Sequence, residues 1–447
     1  MILTVSRSNR MFGSVRGPSD KSLTHRAYML GAIASGESRV ANPLRGEDCE
    51  STLHCLRQMG LRDREENGER ILIPAPEWKS PAGPLDCGNS GTTIRLMSGL
   101  VASRRIDAQM VGDASLSRRP MGRIAKPLKL MGAIFEGDTP PVHIRGGDLK
   151  AIRYETPVAS AQVKSCILLA GLRAEGETVV REPSLSRDHT ERMLRALGVP
   201  VISRGFGLAD TEHRVAAIAS DPSHEASLHA VDKLNPFSFS VPADISSAAF
   251  LMCAAAIIPG SRVRLLDVTV NPTRTGVLDV LEQCGVSVGL TNLREELGEP
   301  LADILIEGPK ELRPFAIAGS LVPRLIDEIP VLAVLATQCD GESVIQDAGE
   351  LRVKESDRIQ VMVEGLRSMG GAAEPLTDGM VIKGRTELSA ARIAARGDHR
   401  IAMSFAVAGL IAAGSTEIEG AESIQTSFPD FEGLLGRLVT GSETDVE

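Results

Sequence analysis

SDKSLTHRAYMLGAIASGESRV, residues 19–40, is the stretch on which the fold turns. A polar cluster carrying a cation opens it, an apolar helical run follows, and a β-prone end comes after Gly36. The pattern returns at GNSGTTIRLMSGLVAS (88–103), ASAQVKSCILLAGLRAEGETVV (159–180), ADISSAAFLMCAAAIIPGSRVRL (243–265), IDEIPVLAVLATQCDGESVI (326–345) and GDHRIAMSFAVAGLIAAGSTEI (397–418). Six copies at intervals of roughly 70–85 residues mark an internal repeat. Gly36, Gly176, Gly260, Gly341 and Gly414 stand where a helix C-cap is expected; the second copy lacks that glycine.

A second helical stretch follows each first one: EDCESTLHCLRQMG, RRPMGRIAKPLKLMG, SRDHTERMLRALG, NPTRTGVLDVLEQCG, LRVKESDRIQVMVEGLRSMG and SFPDFEGLLGRL. Five of them end in a glycine (Gly60, Gly132, Gly198, Gly285, Gly370) that leads into a hairpin-like stretch. The unit therefore reads β-α-β-α-β-β. The first helices are apolar nearly all round and belong inside a core; the second set is amphipathic and covers it. The expected class is α/β, with sheets around buried helices. A chain of 447 residues exceeds one ordinary core, and six units divide into two domains of three.

The net charge of −9 and the 3% aromatic content argue against a nucleic-acid partner, which needs a basic face and stacking platforms. Seven cysteines are scattered without CxxC spacing, which points to a reducing compartment rather than a disulfide framework. The opening MILTVSRSNR has no signal-peptide pattern, and the apolar runs at 248–259 and 405–413 are too short to span a bilayer. A cytoplasmic protein without membrane partners is expected.

The polar clusters sit at expected helix starts, where free N–H groups and the helix dipole favour anions. Ser19, Asp20, Lys21 and Ser22 open the first helix, Asn89, Ser90, Gly91 and Thr92 the second, and Ser160, Ala161 and Gln162 the third. Ser, Asp and Asn are ordinary N-caps, and each cation could serve a structural ion pair. Yet Lys21, Arg26, Arg95, Arg119, Lys164, Arg187, Lys354, Arg358 and Arg400 all stand beside such clusters in an acidic chain. Several together suit phosphate and carboxylate recognition by a multiply anionic ligand held between two domains.

These residues bring a family into view. PSDKSLTHRA, GNSGTTIRLM, RRPMGR, SAQVKS, RDHTE, NPTRTG, LRVKESDR and GDHRIAM resemble, in order and over nearly the whole chain, the motifs of 5-enolpyruvylshikimate-3-phosphate (EPSP) synthases. RDHTE, SAQVK and NPTR resemble the class II branch. The resemblance implies the two-lobed enolpyruvyl transferase fold, an inside-out α/β barrel in each lobe. It places residues 1–20 with 243–447 in one lobe and 21–242 in the other, with crossings near Asp20 and Pro242. It implies transfer of the enolpyruvyl group of phosphoenolpyruvate (PEP) to the 5-hydroxyl of shikimate 3-phosphate by addition and elimination, without metal or redox cofactor, in a monomer.

By matching position the resemblance gives Lys21, Asp327 (base) and Glu355 (proton donor to C3 of PEP) catalytic roles. It gives Lys21, Ser22, Arg26, Ser160, Ala161, Gln162, Arg187, Asp327 and Lys354 to shikimate 3-phosphate. It gives Lys21, Asn89, Gly91, Arg119, Gln162, Glu355, Arg358 and Arg400 to PEP. The alternatives are plain: Asp327 could cap a helix, and Glu355 could form an i,i+3 ion pair with Arg358. Lys164 reads as structural, and Ser115 and Ser117 as loop donors. Thr426 stands where many family members have a lysine, and the turn before Lys21 lacks the usual glycine. Gly91, where alanine is linked to glyphosate tolerance, implies no protection by that route.

Two other functions compete. UDP-N-acetylglucosamine enolpyruvyl transferases share the fold, but usually carry a reactive cysteine in the loop that here reads DASLSRRP, which has none. A non-catalytic binder of phosphorylated ligands would not need Lys21, Asp327 and Glu355 together.

Overall fold

The computed structural model describes residues 1–205 and 223–446. The chain groups into two compact units, one of Met1–Pro18, Pro242–Glu295 and Pro300–Glu447, the other of Ser19–Val241 and Glu296–Glu299. Ser19 and Asp20 thus group with the second unit rather than with the N-terminal strands. The hairpin tip Glu296–Glu299 also groups there, so the chain passes between units more often than the expected two crossings.

In the second unit, α1 (Lys21–Gly31), α2 (Glu47–Gln58), α3 (Gly91–Ala102), α4 (Gly122–Met131), α5 (Ala161–Gly171) and α6 (His189–Ala196) alternate with strands. Leu85–Asp86 runs parallel to Asp107–Val111, and Arg153–Glu155 to Glu177–Glu182, each joined through an apolar helix. An antiparallel hairpin completes each sheet. The chain between the last two strands, 206–222, lies outside the described residues, and with it the turn expected after Gly198. In the first copy the parallel edge strand is Ser238–Ser240, paired with Ser38–Ala41 from the far end of the unit.

The first unit holds α7 (Ile245–Ile257), α8 (Gly276–Gln283), the short α9 (Val322–Leu325), α10 (Ile329–Ala336), α11 (Arg358–Ser368), α12 (His399–Gly409) and α13 (Phe431–Thr440). The sheet built on Arg262–Thr269 takes Phe12–Val15 as its parallel edge. The sixth copy departs from the expected unit. Its sheet has three strands, Ile2–Ser6 pairing antiparallel with Ser415–Glu419 and taking the place of a hairpin.

The split into inner and outer helices holds. All of α7 and α10 is buried, while α2, α8 and α11 bury one face. Each unit has its own apolar core. No helix among the described residues is long and apolar enough to cross a membrane. The outer helices end as their glycines require. Gly60, at φ +115°, donates to Arg57 O and Leu61 to Leu56 O, the two bonds of a Schellman cap. The same pair of bonds closes the helices before Gly132, Gly198, Gly285 and Gly370. The inner glycines are a correction: α1, α5, α7, α10 and α12 cap at Ala32, Leu172, Ile258, Thr337 and Leu410. Gly36, Gly176, Gly260, Gly341 and Gly414 lie beyond those ends, in the turn that feeds the next strand, four of them at positive φ.

Candidate active site

Each polar cluster at the start of α1, α3 and α5 contains one side-chain cap. In the second unit Asp20 accepts from Leu23 N–H at 2.8 Å, Ser90 from Thr93 N–H at 3.1 Å and Ser160 from Val163 N–H at 3.5 Å. The capping expected of these clusters therefore falls on one residue of each. A buried chain of bonds ties α1, α2 and α3 together. His25 Nδ1 lies 2.7 Å from Thr52 Oγ1, which lies 2.7 Å from Thr93 Oγ1, which meets Ser90 Oγ at 2.7 Å. Burial pushes the His25 pKa down to about 3, so the ring in this chain is neutral.

Lys21, Arg95 and Arg119 each have named partners. Lys21 Nζ is 3.0 Å from Asp48 Oδ2 at the start of α2. Asn89 donates to Asp113 Oδ2 at 2.6 Å and accepts from Arg119 Nη2 at 2.8 Å; Arg119 also reaches Ser115 Oγ at 3.3 Å. Ser115 thus accepts, whereas Ser117 donates to Gly112 O at 3.1 Å. Gln162 accepts from Arg95 Nη1 at 2.7 Å and donates to Thr92 Oγ1 at 3.1 Å, so Arg95, named in the sequence only as a cation beside a cap, joins α3 to α5. Gly91 opens α3 against both arginines: a Cβ there would stand 2.8 Å from Arg95 Nη1 and 3.3 Å from Arg119 Nη1. Ser22, Ala161 and Arg187 are half-buried. Arg26 is buried, and burial pulls its pKa down to about 10 despite Glu191, Asp20 and Glu299.

Lys164, read as structural, is fully buried between Glu182 and Glu191, at 2.6 and 2.9 Å. The two carboxylates raise its pKa against the opposing effect of burial.

In the first unit the charged residues converge on Arg358, the first residue of α11. Its Nε is 2.8 Å from Asp398 Oδ2, its Nη1 3.3 Å from Asp327 Oδ1 and its Nη2 2.6 Å from Glu355 Oε2. Lys354 Nζ lies 3.3 Å from the same Asp327 oxygen. Arg400 Nη1 donates to Asp327 O at 2.8 Å and to Ser246 Oγ at 3.2 Å, and Ser246 bonds Glu328. Asp327 does not cap α10: the N-cap position is Glu328, without a side-chain capping bond, and the Asp327 carboxylate faces cations. The i,i+3 pair of Glu355 with Arg358 does form. Asp398, read from the sequence only within GDHRIAM, caps α12 by accepting from Arg400 N–H at 3.0 Å and anchors Arg358. Burial opposes its charge, but Arg358 outweighs burial and holds the carboxyl below the usual range.

Two half-buried carboxylates on one shared guanidinium can accept or deliver a proton, and the cations beside helix starts can neutralise phosphate and carboxylate groups. Thr426 ends the short turn Ala421–Thr426. Among the described residues no cluster of His, Cys, Asp or Glu is placed to hold a metal ion.

Residues 5–435 match the family model of EPSP synthase (3-phosphoshikimate 1-carboxyvinyltransferase). A 3-phosphoshikimate 1-carboxyvinyltransferase of Brevibacillus brevis is 47% identical, over 98% of this chain and 100% of that protein. The solved EPSP synthase of Acinetobacter baumannii is 46% identical and superposes with a TM-score of 0.84, covering 98% of each chain. The enolpyruvyl transferase NikO of Streptomyces tendae, 19% identical, matches with a TM-score of 0.75 over 98% of this chain and 97% of its own, a likeness of fold. The chain belongs to the EPSP synthase (3-phosphoshikimate 1-carboxyvinyltransferase) family.

Proposed function

We propose that named residues of both compact units contribute defined parts of the family's reaction, the transfer of the enolpyruvyl group of PEP to the 5-hydroxyl of shikimate 3-phosphate. The observation that carries this division of labour is the pairing of Asp327 and Glu355 on Arg358, with Lys354 beside Asp327. Asp327 is the base that takes the proton of the 5-hydroxyl as it attacks C2 of PEP, and Lys354 and Arg358, each 3.3 Å from its Oδ1, fix the position of its carboxylate. Glu355 gives its proton to C3. The tetrahedral intermediate then collapses with loss of phosphate, the C3 proton returning to a base. Arg358 and Arg400 neutralise PEP charge.

In the second unit Lys21 stabilises charge at the reacting centre. Ser22, Arg26, Ser160, Ala161, Gln162 and Arg187 hold shikimate 3-phosphate, helped by Asp327 and Lys354. Asn89, Gly91 and Arg119 line the PEP position, with Gln162 reaching it. The Arg26 guanidinium on α1 supports this reading, because phosphate and carboxylate oxygens take two parallel bonds from such a fork. A cytoplasmic monomer is the simplest state consistent with it, and light scattering of the purified chain tests the monomer.

Phosphate release from PEP, followed with shikimate 3-phosphate and, in parallel, with UDP-N-acetylglucosamine, tests the whole. Turnover with shikimate 3-phosphate alone is expected. Turnover only with the nucleotide sugar would move the chain to the sister activity. Binding of shikimate 3-phosphate without turnover would favour a phospho-ligand binder.

A further inference from the structure

Of the stretch RDHTE the proposed chemistry uses only Arg187, although the three residues after Asp188 are all buried. His189 Nδ1 lies 2.9 Å from Glu299 Oε1, and Glu191 Oε1 lies 2.9 Å from Lys164 Nζ. These two pairs pin the start of α6. Between them, Thr190 Oγ1 accepts from Arg26 Nε at 2.8 Å. The same oxygen lies 2.7 Å from Ser165 Oγ on α5, which accepts from Arg26 Nη2 at 2.9 Å. Ser22 O takes a third bond, from Nη1 at 3.0 Å.

A guanidinium has five N–H groups in one plane. Among the described residues three of those of Arg26 point to acceptors on α1, α5 and α6, and one on each terminal nitrogen is left over. That leftover pair is the fork a carboxylate or phosphate takes. Arg26 is long, and a hydrogen bond at Nε is what sets the rotation of its plane. We infer that Thr190, supported by Ser165, is a positioning residue that orients the Arg26 fork toward the phosphorylated acceptor substrate. The inference rests on the reading of Arg26 as a shikimate 3-phosphate ligand.

Calorimetric binding of shikimate 3-phosphate tests it, using Thr190→Val, which keeps shape and loses the acceptor, Thr190→Ser, which keeps the hydroxyl, and Arg26→Lys, which loses the fork. Thr190→Val should weaken binding roughly tenfold or more, the worth of a hydrogen bond to a charged group. Thr190→Ser should restore it, and Thr190→Val should add nothing to Arg26→Lys. In turnover the KM for shikimate 3-phosphate should rise while kcat and the KM for PEP stay near those of the parent. Native affinity in Thr190→Val beside weak binding in Arg26→Lys would overturn the positioning role. So would a fall in kcat and melting temperature that Thr190→Ser does not rescue, since that is the mark of a purely structural residue. Native affinity in Arg26→Lys would instead remove the reading of Arg26 itself.

Discussion

Arg358 Nε lies 2.8 Å from Asp398 Oδ2, and the two side chains are 1% and 0% exposed. The pair joins the first turn of α11 to the cap of α12; Nη2 reaches both Asp398 Oδ1, at 3.3 Å, and Glu355, and Nη1 reaches Asp327. Asp398→Asn removes the buried counter-charge and should destabilise the fold by about 3–5 kcal/mol near neutrality. The folded pKa of Asp398 is depressed, so this stabilisation is present above the unfolded value and lost as pH falls through the folded one. The gap between parent and variant in urea melts should therefore narrow below about pH 4. A gap independent of pH would refute the ion-pair account.

The two carboxylates on Arg358 should separate by role. Asp327→Asn and Glu355→Gln keep shape and should each lower kcat by roughly 10²–10⁴-fold, the usual worth of a general acid or base. Only the Glu355 variant should also suppress exchange of the C3 hydrogens of PEP with solvent deuterium beyond its effect on turnover. Equal exchange per turnover in both variants would mean that Glu355 is not the donor to C3.

At Gly91 an added methyl group meets the ends of two flexible side chains, Arg95 Nη1 and Arg119 Nη1. Both can yield, so Gly91→Ala should fold normally and raise the KM for PEP several-fold. Glyphosate, which by family resemblance takes the PEP position, should lose more affinity than PEP does. Inhibition constants for parent and variant give the answer, and an unchanged constant would rule the crowding out.

Lys164→Met leaves Glu182 and Glu191 buried without their cation. The expected loss is about 3–5 kcal/mol at neutral pH. Burial already raises the Glu191 pKa, and Lys164 is what offsets it. Without the lysine the folded state binds a proton that the unfolded state has released, so the deficit should grow as pH rises. Denaturant titrations of the variant across pH read this slope directly; a deficit that shrinks with rising pH would contradict it.

Periodicity and glycine spacing carried a large share of the architecture, because they are local. An apolar run such as Ile245–Ile257 can only be buried, and Gly60 or Gly132 can take the left-handed turn that closes an outer helix without a Cβ penalty. The polar clusters were legible for the same reason: a helix start needs a cap, and a cation next to it is visible in the chain. What the amino-acid order left open depends on partners far apart along it. The edge strands Ser238–Ser240, Phe12–Val15 and Ile2–Ser6 complete sheets whose other strands lie elsewhere in the sequence, and no local signal assigns a short edge strand to its sheet. Likewise Asp398 is only one residue of GDHRIAM and Thr190 one of a helical stretch until folding places the first against Arg358 and the second against Arg26. Which charge is buried, and which acceptor turns a guanidinium, is decided only when elements many residues apart pack together and exclude water, since that is when an unpaired polar group becomes costly.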